Sequence, residues 1–141
     1  MKAAIETSAP DVAVRGDSAP ADEAERLASL HRLGLLDTAP AEAFDAVARL
    51  SAAALRVPIL LVSLVDENRL WFKSRIGLEM REFARPQSFC SHAVYQRQPL
   101  IVRDATKDPR FAKLEAKFTE ILGMPNNIVY LCCCEGSVFI C

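Results

Sequence analysis

Apolar and polar positions divide the chain into a leader without periodicity and a body in which helical spacing gives way to strand runs. Residues 1–20 are rich in Ala, Ser, Asp and Pro and carry no repeat, which predicts a disordered leader. Leu27, Leu30 and Leu33 or Leu36 then form a narrow stripe at helical spacing, predicting a helix over 21–36. Asp22, Glu23 and Glu25 in its first turns complement the helix dipole, and Gly34 marks fraying near its end. Thr38 suits the cap of a second helix and Pro40 its first turn. That helix runs to about Leu55, with Phe44, Val47, Ser51, Ala54 and Leu55 predicted to form its buried face. Val57 precedes Pro58 and so avoids the helical region, which ends the segment.

The period changes after Pro58. Residues 59–65 read as a buried strand, residues 66–69 as a hairpin turn and residues 70–76 as the partner strand, closed by Gly77. On that second strand Trp71, Lys73 and Arg75 alternate with Phe72, Ser74 and Ile76, predicting two different faces. Residues 79–87 show no period and read as a loop. Ser88 then caps a short helix over 89–96, followed by a short strand over 100–102 and a turn region over 104–111. A helix is predicted over 113–122, a strand over 128–134, a turn at Glu135 and Gly136, and the start of a last strand over 138–141. Two strands joined by a tight turn are antiparallel, and the helices do not follow every strand. The order predicts an α+β domain, an antiparallel sheet with helices packed on one face.

Composition leaves that picture standing. A chain of 141 residues, 51% hydrophobic and 25% charged, is one domain with enough apolar material for a core. With 17 basic and 18 acidic residues, its net charge of −1 offers no electrostatic reason for nucleic acid or an anionic membrane as partner. The apolar runs are too short for a membrane span, and the N-terminus has no apolar h-region. The expected location is therefore cytoplasmic. Four of the five cysteines crowd positions 132–141, which is no disulfide framework.

Candidate chemistry is sparse. Cys90 and His92 lie two apart, whereas groups that act together on one helix face are three or four apart. A helix N-terminus and a nearby imidazole would favour a reactive thiolate at Cys90; a small buried hydrophobe is the simpler reading. Cys132, Cys133 and Cys134 alternate across a strand and cannot converge on one ion, so no metal is expected. Asp66, Glu67 and Arg69 occupy a turn, where charges are solvated. Asp104, Asp108 and Arg110 flank another, with Asp104 as a cap and Arg110 paired to an aspartate. Trp71 reads as a packing residue. No phosphate-loop, zinc-protease, hydrolase-elbow or kinase motif is present.

Four strings appear in a telling order: ERLASLHRLGLLDTAPAEAFD, VPILLVSLVDENRLWFKSRIGL, SFCSHAV and PLIVRDATKDPRF. Together they resemble a GAF domain of the type found N-terminally in bacterial sensor histidine kinases and diguanylate cyclases. The resemblance covers residues 25–111. It implies a sheet with helices on one side and a pocket on the other, and a non-catalytic sensory role in signal transduction. That role is binding a small ligand or coupling through a dimer to an output domain. The pocket is expected between the sheet, residues 77–95 and the turn 104–111, lined by Phe72, Ser74, Phe89, Cys90, His92 and Tyr95. The ligand is not specified, since such domains accept cyclic nucleotides, bilins, haem and others. A homodimer through helix 21–36 is the expected partner contact. After Phe111 the residues depart from the pattern, so the closing strand or strands are expected to be missing. Residues 21–134 then form an incomplete domain and 135–141 a divergent Cys-rich tail. Two rival readings follow: a redox enzyme using Cys90, similar to free methionine sulfoxide reductases of this fold, and a truncated fragment without independent function.

Overall fold

A computed structural model of the chain describes residues 23–96 and 98–113 with their side chains, Gln87 excepted, and the backbone of 130–135 and 138–140. The elements in chain order are α1 (Glu23–Arg32), α2 (Glu42–Leu55), β1 (Leu60–Val65), β2 (Arg69–Ile76), β3 (Glu82–Ala84) and a 3-10 turn (Arg85–Gln87). They continue with α3 (Phe89–Gln96), β4 (Leu100–Val102), β5 (Tyr130–Glu135) and β6 (Val138–Ile140). The strands form one six-stranded sheet, ordered β3-β2-β1-β6-β5-β4, in which every neighbouring pair is antiparallel. The protein is therefore an α+β domain. The leader 1–20 and most of the helix predicted over 113–122 lie outside the described residues.

Strict alternation along β1 sets the two faces. Leu60, Val62 and Leu64 point to the side of α1 and α2, while Leu61 and Val65 point to the side of α3. On the first side Leu30 of α1 packs with Leu64 and Trp71, so Trp71 is a packing residue held against the N-terminal helix. Ala48 and Ala52 of α2 pack with Leu60 and Val62. On the other side Phe72, Phe83, Phe89, Cys90, Ala93, Val94 and Phe111 share one larger cluster with the apolar residues of β4. The two long helices thus share one face as predicted, and the short α3 covers the opposite one.

Several boundaries move for identifiable reasons. α1 ends at Arg32, because Gly34 takes φ +61° and Asp37 φ 57°, left-handed conformations that a helix cannot continue through. Leu33 is consequently exposed and Leu30 carries the contact. Thr38 does not cap α2. The N-cap is Ala41, and the Thr38 hydroxyl instead donates to the Leu35 carbonyl and accepts from Lys73. Pro40 lies before that cap, outside the first turn. The buried face of α2 also differs from the predicted one: Val47 and Leu55 are exposed, and Ala48 and Ala52 are the residues fully or nearly covered. Alanines let the helix approach the sheet closely, so the inner face carries the smaller apolar side chains. The segment 79–87, read as a loop, contains β3, which pairs with the start of β2. The stretch 138–140, read as the start of a last strand, forms β6, which lies between β1 and β5 and pairs with Val62, Ser63 and Leu64 of the first and with Cys133, Cys134 and Glu135 of the second.

Two ionic clusters tie α1 and the following loop to the sheet. Glu23 receives a forked pair of hydrogen bonds from Arg26 (2.8 and 2.7 Å) and a third from Arg85 Nη1 (2.6 Å). Arg85 Nη1 also donates to the Asp66 carbonyl at 3.0 Å, so the start of α1 is fixed to the β1–β2 turn. Arg69 grips Asp37 with two bonds (2.9 and 2.6 Å) and reaches Glu82 at 2.9 Å. It thereby joins the loop after α1, β2 and β3. No helix among the described residues is long and apolar enough to cross a membrane.

Candidate functional site

α3 begins where Ser88 satisfies otherwise unpartnered groups of the first turn. Its hydroxyl accepts from the Ser91 N–H at 3.3 Å and donates to the Arg85 carbonyl at 2.9 Å, and Ser91 Oγ donates to the same carbonyl at 2.8 Å. This fixes Phe89 and Cys90 beneath the helix. Phe89 stacks on Phe111 with centroids 4.6 Å apart, and Phe72 meets Phe83 edge to face at 5.6 Å. Three of the six residues expected to line a pocket, Phe72, Phe89 and Cys90, are packed together in this core.

Burial pushes the Cys90 thiol up to about 12, with a neighbouring Ser63 hydroxyl drawing it only partly back. A thiol that stays protonated at neutral pH is a poor nucleophile. The reading of Cys90 as the reactive group of a redox enzyme is therefore corrected: the side chain is a core hydrophobe.

His92 and Tyr95 keep solvent access on the same side. The His92 ring meets Phe111 edge-on at 4.8 Å. Its pKa is lowered, first by burial and then by the Arg110 charge, so the imidazole is neutral at pH 7. The adjoining turn is built from two aspartates. Asp104 Oδ1 accepts from the Thr106 N–H at 3.0 Å and also from the Thr106 hydroxyl. Asp108 accepts from the Arg110 N–H and Nε, both at 3.0 Å, and from Nη2 at 2.7 Å. Hydrogen bonding lowers the pKa of both carboxyls: Thr106 is the main cause at Asp104 and Arg110 at Asp108. Arg110 also lies 4.9 Å above the Phe111 ring. His92 and Arg110 thus both meet the buried Phe111 ring, and Tyr95, one turn along α3 from His92, is exposed.

Ser74, the sixth expected residue, sits elsewhere. Between Val62 and Ser63 the β1–β2 register shifts, with Val62 opposite Ser74 and Ser63 opposite Phe72. Lys73 is the extra residue of this β-bulge. The alternation of β2 inverts there, so Lys73 and Ser74 both turn toward α2 and the loop before it. Ser74 Oγ donates to Asp45 Oδ1 at 2.5 Å, and Lys73 Nζ donates to Thr38 Oγ1 at 2.7 Å and to the Ala39 carbonyl at 2.8 Å. A cleft of about 310 Å³ opens there, lined among others by Asp45, Arg49, Lys73 and Ser74. The six expected residues therefore divide between two faces of the sheet. Simple alternation put Lys73 and Arg75 on one face, but the bulge separates them, since Arg75 lies opposite Leu61 on the α3 side.

No family profile matches the chain. It is 39% identical over 92 residues to a protein named as a cyclic di-GMP phosphodiesterase, from Pseudomonas aeruginosa. The alignment takes in 65% of this chain and 16% of that protein, so the chain spans less than a fifth of its relative's length. The expectation that the chain is not an enzyme is corrected by this match, since the protein it aligns with is named as one.

Proposed function

We propose that the chain is a regulatory domain of cyclic di-GMP signalling, built on the GAF pattern, which binds a small ligand and transmits its occupancy to an output domain. The carrying observation is the 39% identity to a domain-sized segment of a much longer protein named as a cyclic di-GMP phosphodiesterase. The α+β architecture supports the reading, with two long helices on one sheet face and α3 with its adjoining turn on the other. The ligand contact is placed on the α3 side, at His92 and Tyr95, where solvent access is retained above the floor of Phe89, Cys90 and Phe111. Phe72 belongs to that floor one layer deeper. The output would be a phosphodiesterase, a diguanylate cyclase or a histidine kinase.

Calorimetric titration tests this with cyclic di-GMP, cyclic GMP, cyclic AMP, haem and biliverdin in turn. One of them is expected to bind with micromolar or better affinity, and His92→Ala with Tyr95→Ala is expected to weaken it. Absence of measurable heat for all five, repeated in equilibrium dialysis, would remove the ligand-binding reading.

A further inference from the structure

We propose that the outer face of α2 is a docking surface for a second copy of this chain, the two helices packing antiparallel. The inference does not rest on the signalling reading, because α2 lies on the sheet face opposite the proposed ligand contact.

α2 is apolar on both of its faces. Phe44, Ala48 and Ala52 are turned to the sheet. On the other side Ala43, Val47, Leu50 and Ala54 follow one another in alternating steps of four and three residues, and all are exposed. Leu50 is 72% exposed and Val47 48%. That spacing is the seam of a helix pair. The charged residues of α2, Glu42, Asp45 and Arg49, fall along one flank and leave the seam itself without a polar residue. A surface helix turns polar residues to water, and one that is apolar all round belongs inside a larger body. α1, on the same sheet face, differs: its Glu25, His31 and Arg32 are exposed.

Charge selects the partner and the direction. Glu42 stands at the start of α2 with its side chain 77% exposed. Arg56 is exposed just past the end of the helix and has no ionic partner among the described residues. Both share the flank of Arg49, two turns from it on either side. In an antiparallel pair related by a two-fold axis each flank meets its own copy in reverse, so Glu42 of one copy comes opposite Arg56 of the other. With the axis between Val47 and Leu50, Leu50 packs on Val47 and Ala43 on Ala54. Arg49, nearest the axis, stays with Glu42 of its own helix. A parallel pair would bring that flank against the side of Ser51 and leave Arg56 unmatched. The helix dipoles also attract only in the antiparallel arrangement. A helix of 14 residues spans about 21 Å, so the contact is small and the dimer weak, with a roughly micromolar Kd.

The test is sedimentation velocity of the whole chain over a range of protein concentrations. A reversible monomer–dimer equilibrium is expected. Leu50→Glu puts a charge into the seam at a position exposed in the monomer. It is expected to weaken association about tenfold or more, with the circular dichroism of the dilute chain unchanged. Arg56→Glu sets carboxylate against carboxylate and is expected to weaken association a few-fold at low salt. Adding Glu42→Arg to it is expected to recover part of that loss, which only a second copy of the chain explains. The proposal is overturned if the wild-type chain stays monomeric throughout, which leaves the face to a different partner. It is equally overturned if Leu50→Glu dimerises as the wild type does, or if the charge exchange recovers nothing.

Discussion

Gly77 shows how a single position holds the start of the sheet. It sits at φ +72°, and a Cβ added there would lie 2.0 Å from the Pro58 carbonyl oxygen. Gly77→Ala therefore combines a left-handed alanine with a backbone clash, and is expected to cost roughly 2–4 kcal/mol in urea unfolding. A loss under half a kcal/mol would show that β1 does not start against this turn. Glu23 acts through charge. Its pKa is drawn down to about 2, with the Arg26 hydrogen bonds as the first cause and Arg85 adding to them. The folded value lies below the ordinary one of 4.5, so the stabilisation is complete above about 4.5 and fades as pH falls toward 2. Glu23→Gln is expected to lose about 3 kcal/mol at pH 7, because two partly buried guanidiniums lose their counter-charge. The gap to wild type should narrow between pH 4.5 and 2. A gap independent of pH would contradict the ion-cluster assignment. For Cys90, alkylation at pH 8 followed by peptide mapping should show modification far slower than at a free thiol. Labelling at the free-thiol rate would put Cys90 outside the core.

At the scale of elements, β2 carries the main device of the fold. Its bulge at Lys73 lets one strand serve the α3-side core through Phe72 and the α2-side cleft through Ser74. Deleting Lys73 leaves Phe72 opposite Ser63 and Ser74 opposite Val62 in a regular ladder, and removes the ammonium that bonds the Thr38 hydroxyl and the Ala39 carbonyl. The expected result is a loss of about 1–2 kcal/mol in chemical unfolding, because the loop before α2 loses its two hydrogen bonds to the strand. An unchanged midpoint would mean the bulge is incidental. The same strand shows what sequence could and could not disclose. Simple alternation placed Phe72 and Ser74 on one face, and alternation fails at an inserted residue that leaves no mark in hydrophobicity. The helices repeat the lesson. Phe44 was placed on the inner face of α2, where it does pack, but the neighbouring Ala48 and Ala52 carry that face while the larger Val47 and Leu50 stay exposed. Side-chain size misleads wherever close approach is what the packing needs. By contrast, β1, the 66–69 turn, the Ser88 cap and β4 were legible, because each follows from local chemistry.

For the whole molecule, the sheet order β3-β2-β1-β6-β5-β4 puts the chain's last described strand beside its first. That pairing could not be read from residues 113–141, whose apolar run fits several registers. The candidate site was less legible than the fold. Three of its six expected residues serve packing, two remain accessible, and one belongs to the opposite face. The segment's likeness to part of a cyclic di-GMP phosphodiesterase supports the proposed signalling context, within which the proposed ligand contact is at His92 and Tyr95. Ligand bound to the folded state alone raises the melting temperature by mass action, about 2.7 kcal/mol of stabilisation at a hundredfold excess over Kd. The most direct test of the regulatory reading is the melting temperature of the purified chain across cyclic di-GMP, cyclic GMP, cyclic AMP, haem, bilins and a small-metabolite panel. The account predicts a saturable rise with one of these that is diminished by His92→Ala and Tyr95→Ala. A flat response across the panel, from a chain that melts cooperatively, would contradict it.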